Sequence, residues 1–134
     1  MTLRPDLIQS ALIDLCKSRA GIVAEVTSDE IREDHWQGTE FTYPNTRLNM
    51  ISNRPTEKEC NRWAFELSWQ VFSEEASSYQ ADRIAGIINN ALHDKQFTSN
   101  SIHIGLWTTN IIPAVRVSEK LWRTEVLQRG TASG

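Results

Sequence analysis

In "RWAFELSWQVFSEE", Arg62 to Glu75, apolar side chains fall on every second position: Trp63, Phe65, Leu67, Trp69 and Val71. Successive side chains of a strand point to opposite faces, so this period puts two indoles and a phenyl ring on one face. Ala64, Glu66, Ser68 and Gln70 make a mostly polar opposite face. Two readings of the indole-rich face stand at this point. It is half of a core, or it is the wall of a pocket into which reactive groups point.

Elsewhere the period is helical. Leu7, Ile8, Ala11, Leu12, Leu15 and Cys16 form one stripe over residues 5–18. Pro5 suits a first turn, because its missing N–H has no partner to lose there, and Gly21 is a natural stop. A second stripe, Ile84, Ala85, Ile87, Ile88, Ala91 and Leu92, predicts a helix that fades near Asp94. Ser77 and Gln80 have the spacing of a capping box at its start. The small Ala85 and Ala91 of that face can accept large indoles opposite them.

Between and after the helices the strand period returns. "RLNMIS" predicts a strand, with Pro44 of "FTYPN" at its beginning. The polar "NRPTEKECN", Asn53 to Asn61, joins it to the indole strand as a long hairpin tip. "SIHIGLW" places Ile102, Ile104 and Leu106 on one face, with Gly105 as a candidate bulge. "IPAVRVS" and "LWRTEVLQR" predict a closing pair that turns at "SEK". "GIVAEV" reads as a short strand, "TSDEIREDHWQGTE" as a charged irregular connection, and "GTASG" (130–134) as a frayed tail. The expected fold is one α+β domain over 1–134, a mainly antiparallel sheet of four to five strands packed by two helices, in the order α-β-β-(β)-α-β-β(-β).

Composition narrows the function classes. At 134 residues the chain is long enough for one core. No apolar run reaches the ~20 residues of a membrane span, and "MTLRPDLIQS" lacks the pattern of a signal peptide, so the expectation is synthesis in a cytosol and no membrane partner. A net charge of −3 and a pI near 5.6 lack the clustered basic face that grips nucleic acid. Two cysteines, Cys16 and Cys60, are too few for a disulfide framework. Cys16 falls on the apolar stripe, Cys60 in the polar loop.

Candidate chemistry is sparse. "DEIREDH", Asp29 to His35, collects Asp29, Glu33, Asp34 and His35 without the ligand spacing of a zinc or calcium site. His93 at a helix end suits the local dipole, and His103 stands alone on a strand. No nucleophile elbow and no phosphate-binding glycine loop occurs. The expectation is no catalytic, metal or cofactor site. The five tryptophans exceed what one small core absorbs, and Trp36 with Phe41 and Tyr43 is the best candidate for a protein contact.

Three segments carry a resemblance: "DHWQGTEFTYPNTRLNM", "WAFELSWQVFSEEASSYQADRIAGIINNALHD" and "PAVRVSEKLWRTEVLQR". Together they resemble the small tail-terminator or tail-completion proteins of tailed bacteriophages. An aromatic–Tyr–Pro start leads into a strand, a later strand ends in apolar–Ser–Glu, an Ala/Asp-rich helix ends "ALHD", and two strands close the chain. The resemblance spans residues 5–129. It implies a virion protein that caps the tail tube and joins it to the head-side connector, as a ring, often a hexamer, around the DNA channel.

On that reading the partners are further copies of the chain, the tube protein and the connector, and DNA passes without specific binding. An acidic balance suits a channel through which phosphates must slide. The hairpin tip, with Arg54, Glu57, Lys58 and Glu59, would reach a neighbouring subunit or the tube; the alternative is an ordinary solvated loop. The Val23–Gly38 connection departs from the family in its length and charge. Three rival readings remain: another neck or head-completion protein, a small metal-dependent enzyme using "DEIREDH" with His103, and a monomeric ligand-binding module using the tryptophan face.

Overall fold

The computed structural model describes residues 2–56 and 61–134. The first helical stripe forms α1, Pro5–Lys17, and buries Ile8, Ala11, Leu12, Leu15 and Cys16. It ends at Ser18, whose hydroxyl donates to the Leu15 carbonyl at 2.6 Å, so the stop comes before Gly21. Gly21 lies inside a second short helix, α2, Ala20–Val23. That corrects the strand expected at "GIVAEV". After α2 a single 3-10 turn, Ser28–Glu30, precedes β1, Ile31–Glu33. The connection expected to be irregular therefore contributes a strand.

The chain continues through β2, Asn45–Pro55, β3, Arg62–Ser73, α3, Tyr79–Leu92, β4, Lys95–Ser99, β5, Ile102–Ser118, and β6, Leu121–Ser133. All six strands belong to one sheet in the order β1-β2-β3-β6-β5-β4. Only β1 with β2 is parallel; the other pairs are antiparallel. The α+β class and the antiparallel character match the expectation, with one strand more than the four to five expected.

Three local expectations are corrected. The capping box does not form: Ser78 is the N-cap without a side-chain bond, and Gln80 instead accepts from the Ser73 hydroxyl, tying α3 to the end of β3. Gly105 stays in regular register, and the shifts of β5 occur later, at Thr108/Asn110, Ile112/Val115 and Arg116/Ser118. Gly130 to Ser133 do not fray. They pair with β3 on one side and β5 on the other, and Ala132 is fully buried.

The indole face answers the first question in favour of a core. Phe65, Leu67, Trp69 and Val71 are buried, with Trp63 packed against the same cluster. Helix α3 packs on β3, β5 and β6 and buries Ala81, Ile84, Ala85, Ile88 and Leu92. Trp69 has no exposed surface, and its indole N–H donates to Gln128 Oε1 at 2.9 Å. The amide of Gln128 in turn donates to the Thr108 hydroxyl at 3.2 Å, so Trp69, Gln128 and Thr108 satisfy one another as a chain. Gly130 is required here. A Cβ would stand 2.5 Å from the Gly105 carbonyl oxygen and 2.5 Å from the Phe65 ring, which lies across the sheet at that point.

Helix α1 touches both outermost strands. Gln9 donates to Glu33 of β1 at 3.2 Å, and Ser99 of β4 donates to the Ala11 carbonyl at 2.8 Å. A flat six-stranded sheet would hold its outer strands about 24 Å apart, whereas a helix with its side chains is only about 10–12 Å across. One helix can bridge the two only because the sheet curls around it. The bulges of β2 and β5 supply part of that curl, since each adds local twist.

Candidate functional site

Among the described residues no group of three or more His, Cys, Asp or Glu is placed to hold a metal. "DEIREDH" is used structurally. Glu30 is buried, accepting from the Thr42 amide at 2.9 Å and pairing with Arg32 at 3.1 Å. His93 Nδ1 accepts the Thr108 amide at 2.8 Å, and His103 Nδ1 faces the Thr98 hydroxyl at 3.2 Å. Burial pushes the Cys16 thiol up to about 12, so at neutral pH it carries no nucleophilic thiolate. No helix among the described residues is long and apolar enough to cross a membrane.

What the structure offers instead is surface. The first feature is an arginine–aromatic stack. Arg32 lies 5.3 Å from the Trp36 ring and 4.7 Å from Phe41, and Arg47 lies 4.2 Å from Phe41 and 4.1 Å from Phe72. Arg32 also donates to the carbonyls of Asp29 and Thr39, and the Trp36 indole donates to the Thr39 carbonyl at 3.0 Å. Arg32 therefore organises the whole segment between β1 and β2. Of the predicted contact residues, Trp36 (45% exposed) and Tyr43 (38%) face solvent, while Phe41 is held between two guanidinium groups.

The stack borders a groove of about 710 Å3 between α1 and β1. Its walls include Asp6, Gln9, Ile13, Asp14, Asp29, Glu33 and Trp36. Arg32 neutralises Glu30 and Arg4 neutralises Asp6, which leaves Asp14, Asp29 and Glu33 against Lys17, so the lining stays acidic.

Arg54 stands apart from these residues, in a smaller hollow of about 320 Å3 on the outer sheet face with Glu66, Trp107 and Arg129. Arg129 pairs with Glu66 there at 3.5 Å. Glu57, Lys58 and Glu59 lie outside the described residues.

A second surface was not anticipated as a contact. Beyond Leu106, where β4 ends its pairing, β5 continues to Ser118 with β6 on one side and no strand on the other. Helix α3 covers part of that edge: His93 accepts the Thr108 amide, and Asp82 accepts the Ala114 amide at 3.1 Å. Ile111, Val115 and Val117 remain exposed along it. Their signal in the sequence is an apolar run with no face left to bury, which three bulges conceal from period counting.

No protein-family model matches the sequence, and no curated protein matches it at the level of sequence. The fold has solved counterparts. The structure is similar to a chain described as "Virion of native gene transfer agent (GTA) particle", with a TM-score of 0.69 and 17% identity over 95% of both chains. A further solved chain matches over 98% of this chain and 96% of its own, with a TM-score of 0.58 and 17% identity. The α+β fold of this chain is thus one that a component of a gene transfer agent virion adopts from end to end.

Proposed function

We propose that this chain is a non-enzymatic virion protein of a phage-like particle. It ends the tail tube and joins it to the head-side connector, as a hexameric ring around the DNA channel, and is made in the host cytoplasm before assembly. The observation that carries the reading is the fold likeness to a gene transfer agent virion component over 95% of both chains. Three features of the chain support it. No group of three or more His, Cys, Asp or Glu among the described residues is placed to hold a metal ion. The net charge of −3 lets DNA slide past without being held. Exposed apolar and aromatic side chains, Trp36, Tyr43, Trp107, Val115 and Val117, supply contact surface.

In this role Trp36 and Tyr43 meet a partner while Phe41 fixes their segment through the arginine stack. The β2–β3 tip, with Glu57, Lys58 and Glu59, reaches the neighbouring subunit or the tube, and Arg54, which lies within β2 and not at the tip as expected, adds to that contact from the outer sheet face. The test is light scattering and negative-stain imaging of the chain with and without its cognate tube protein. Rings of several copies, or density at tube ends that appears only when the chain is added, are expected. A chain that stays monomeric beside assembled tubes and never binds their ends overturns the proposal.

A further inference from the structure

Resting on that reading, we infer that the copies join head to tail, the β5–β6 hairpin end of one, Val115–Arg123, seating in the groove between α1 and β1 of the next. The hairpin end carries Val115 (43% exposed) and Val117 (41%), with Arg116 and Lys120 against Glu119, Arg123 being paired with Glu125 at 3.5 Å. Its local charge is therefore positive in a chain that is negative overall. The groove answers in kind. With Asp6 paired to Arg4 at 3.0 Å and Glu30 to Arg32, Asp14, Asp29 and Glu33 still outnumber Lys17, and Ile13 and Trp36 give apolar wall for the two valines.

Charge complementarity selects this occupant over a like-to-like contact. Two hairpin ends meeting edge to edge would bring Arg116 and Lys120 against their own counterparts, which costs affinity. The two surfaces are unlike, and in the sheet order β2, β3 and β6 stand between β1 and β5. Unlike patches that mate across copies generate a heterologous contact, which closes into a ring when the rotation allows.

Engineered disulfides test this directly in full-length chains carrying Cys60→Ser. Val117→Cys chains and Thr39→Cys chains are co-expressed, Thr39 being an exposed member of the groove wall. A disulfide dimer in the co-expressed pair, well above either variant alone, is expected. Adding Arg116→Glu and Lys120→Glu should lower its yield roughly tenfold. Combining these with Asp14→Lys and Asp29→Lys on the groove side should restore it.

No excess of mixed dimer, or an equal yield from Val117→Cys alone, overturns the inference, and so does a charge reversal that the groove substitutions cannot rescue. Asp14, Asp29, Thr39, Arg116, Val117 and Lys120 are all exposed, and circular dichroism of each variant shows that the fold is kept. If the disulfide forms but the chain never binds tube ends, the contact stands and the tail role falls. If tube ends are capped and no mixed disulfide forms, the role stands and this contact falls.

Discussion

Strands β3 and β5 flank the same partner, β6, yet they meet opposite fates. β3 lies between β2 and β6, and its inward face from Phe65 to Val71 is sealed. β5 is sealed in the same way only from Ile102 to Leu106, where β4 flanks it. From Thr109 to Ser118 most of its residues are exposed, apolar ones included. The difference arises from neighbours rather than composition. An apolar side chain is buried when a strand lies on each side and a helix lies above, and the distal half of β5 lacks an outer strand. One molecule thus holds a closed apolar system that stabilises the fold and an open one that leaves apolar surface in water.

The closed half should break most severely at its centre. Trp69→Ala removes the largest fully buried side chain and leaves Gln128 Oε1 without its donor. The expected loss is about 3–5 kcal/mol, from lost transfer energy and the residual cavity. Urea unfolding measures it. A loss below about 1 kcal/mol would mean that Trp69 is not packed as described, and the contrast between the two strands would collapse.

The closed half should also show itself in pH dependence, through a group that the open half lacks. Burial raises the Cys16 thiol to about 12, whereas an unfolded thiol titrates near 8.5. Below that unfolded value both states keep the proton and the thiol adds no pH dependence. As pH rises further, the unfolded chain releases its proton while the folded chain retains it. Stability then falls by about 1.4 kcal/mol per pH unit until the folded thiol titrates too. The measured quantity is the difference between the parent chain and Cys16→Ala, which isolates this one thiol. The slope of that difference between pH 9 and 10.5 should be that of one proton. Equal slopes would mean that Cys16 is reached by water.

The same contrast governs what the sequence could reveal. β3 is legible because both of its neighbours let the strict period persist for its whole length, and α1 and α3 because each has a single apolar face. β5 reads as two pieces because the polar Thr108–Asn110 stretch and Pro113 coincide with bulges, where the period of two slips by a residue. β4 is five residues with one half-buried ring, Phe97, too short to carry a period. The last residues look like a tail because glycine and small side chains carry no hydrophobic signal. Gly130 is nonetheless there to admit the Phe65 ring.

The candidate surface was legible only in part. Trp36 and Tyr43 stand out as aromatics in a polar stretch. Arg32, which holds that stretch in place through two rings, an ion pair and two carbonyls, looks in sequence like one charge among many.

The smallest expected effect sharpens the comparison most. Val117→Ser removes two methyl groups from a side chain that is already 41% exposed, on a strand edge with no outer neighbour. A large part of the side chain stays in water after folding, so the change in stability should stay within about 1 kcal/mol, below the cost of truncating a buried side chain. Retained stability alone would describe any surface valine. The discriminating result is retained stability together with weakened self-association, measured on the same preparation by urea unfolding and by light scattering at several concentrations. A loss of about 2 kcal/mol would instead place Val117 in a packed environment inside its own chain. The distal half of β5 would then belong to the closed system, and the division between a strand that folds the chain and a strand end that joins copies would no longer hold.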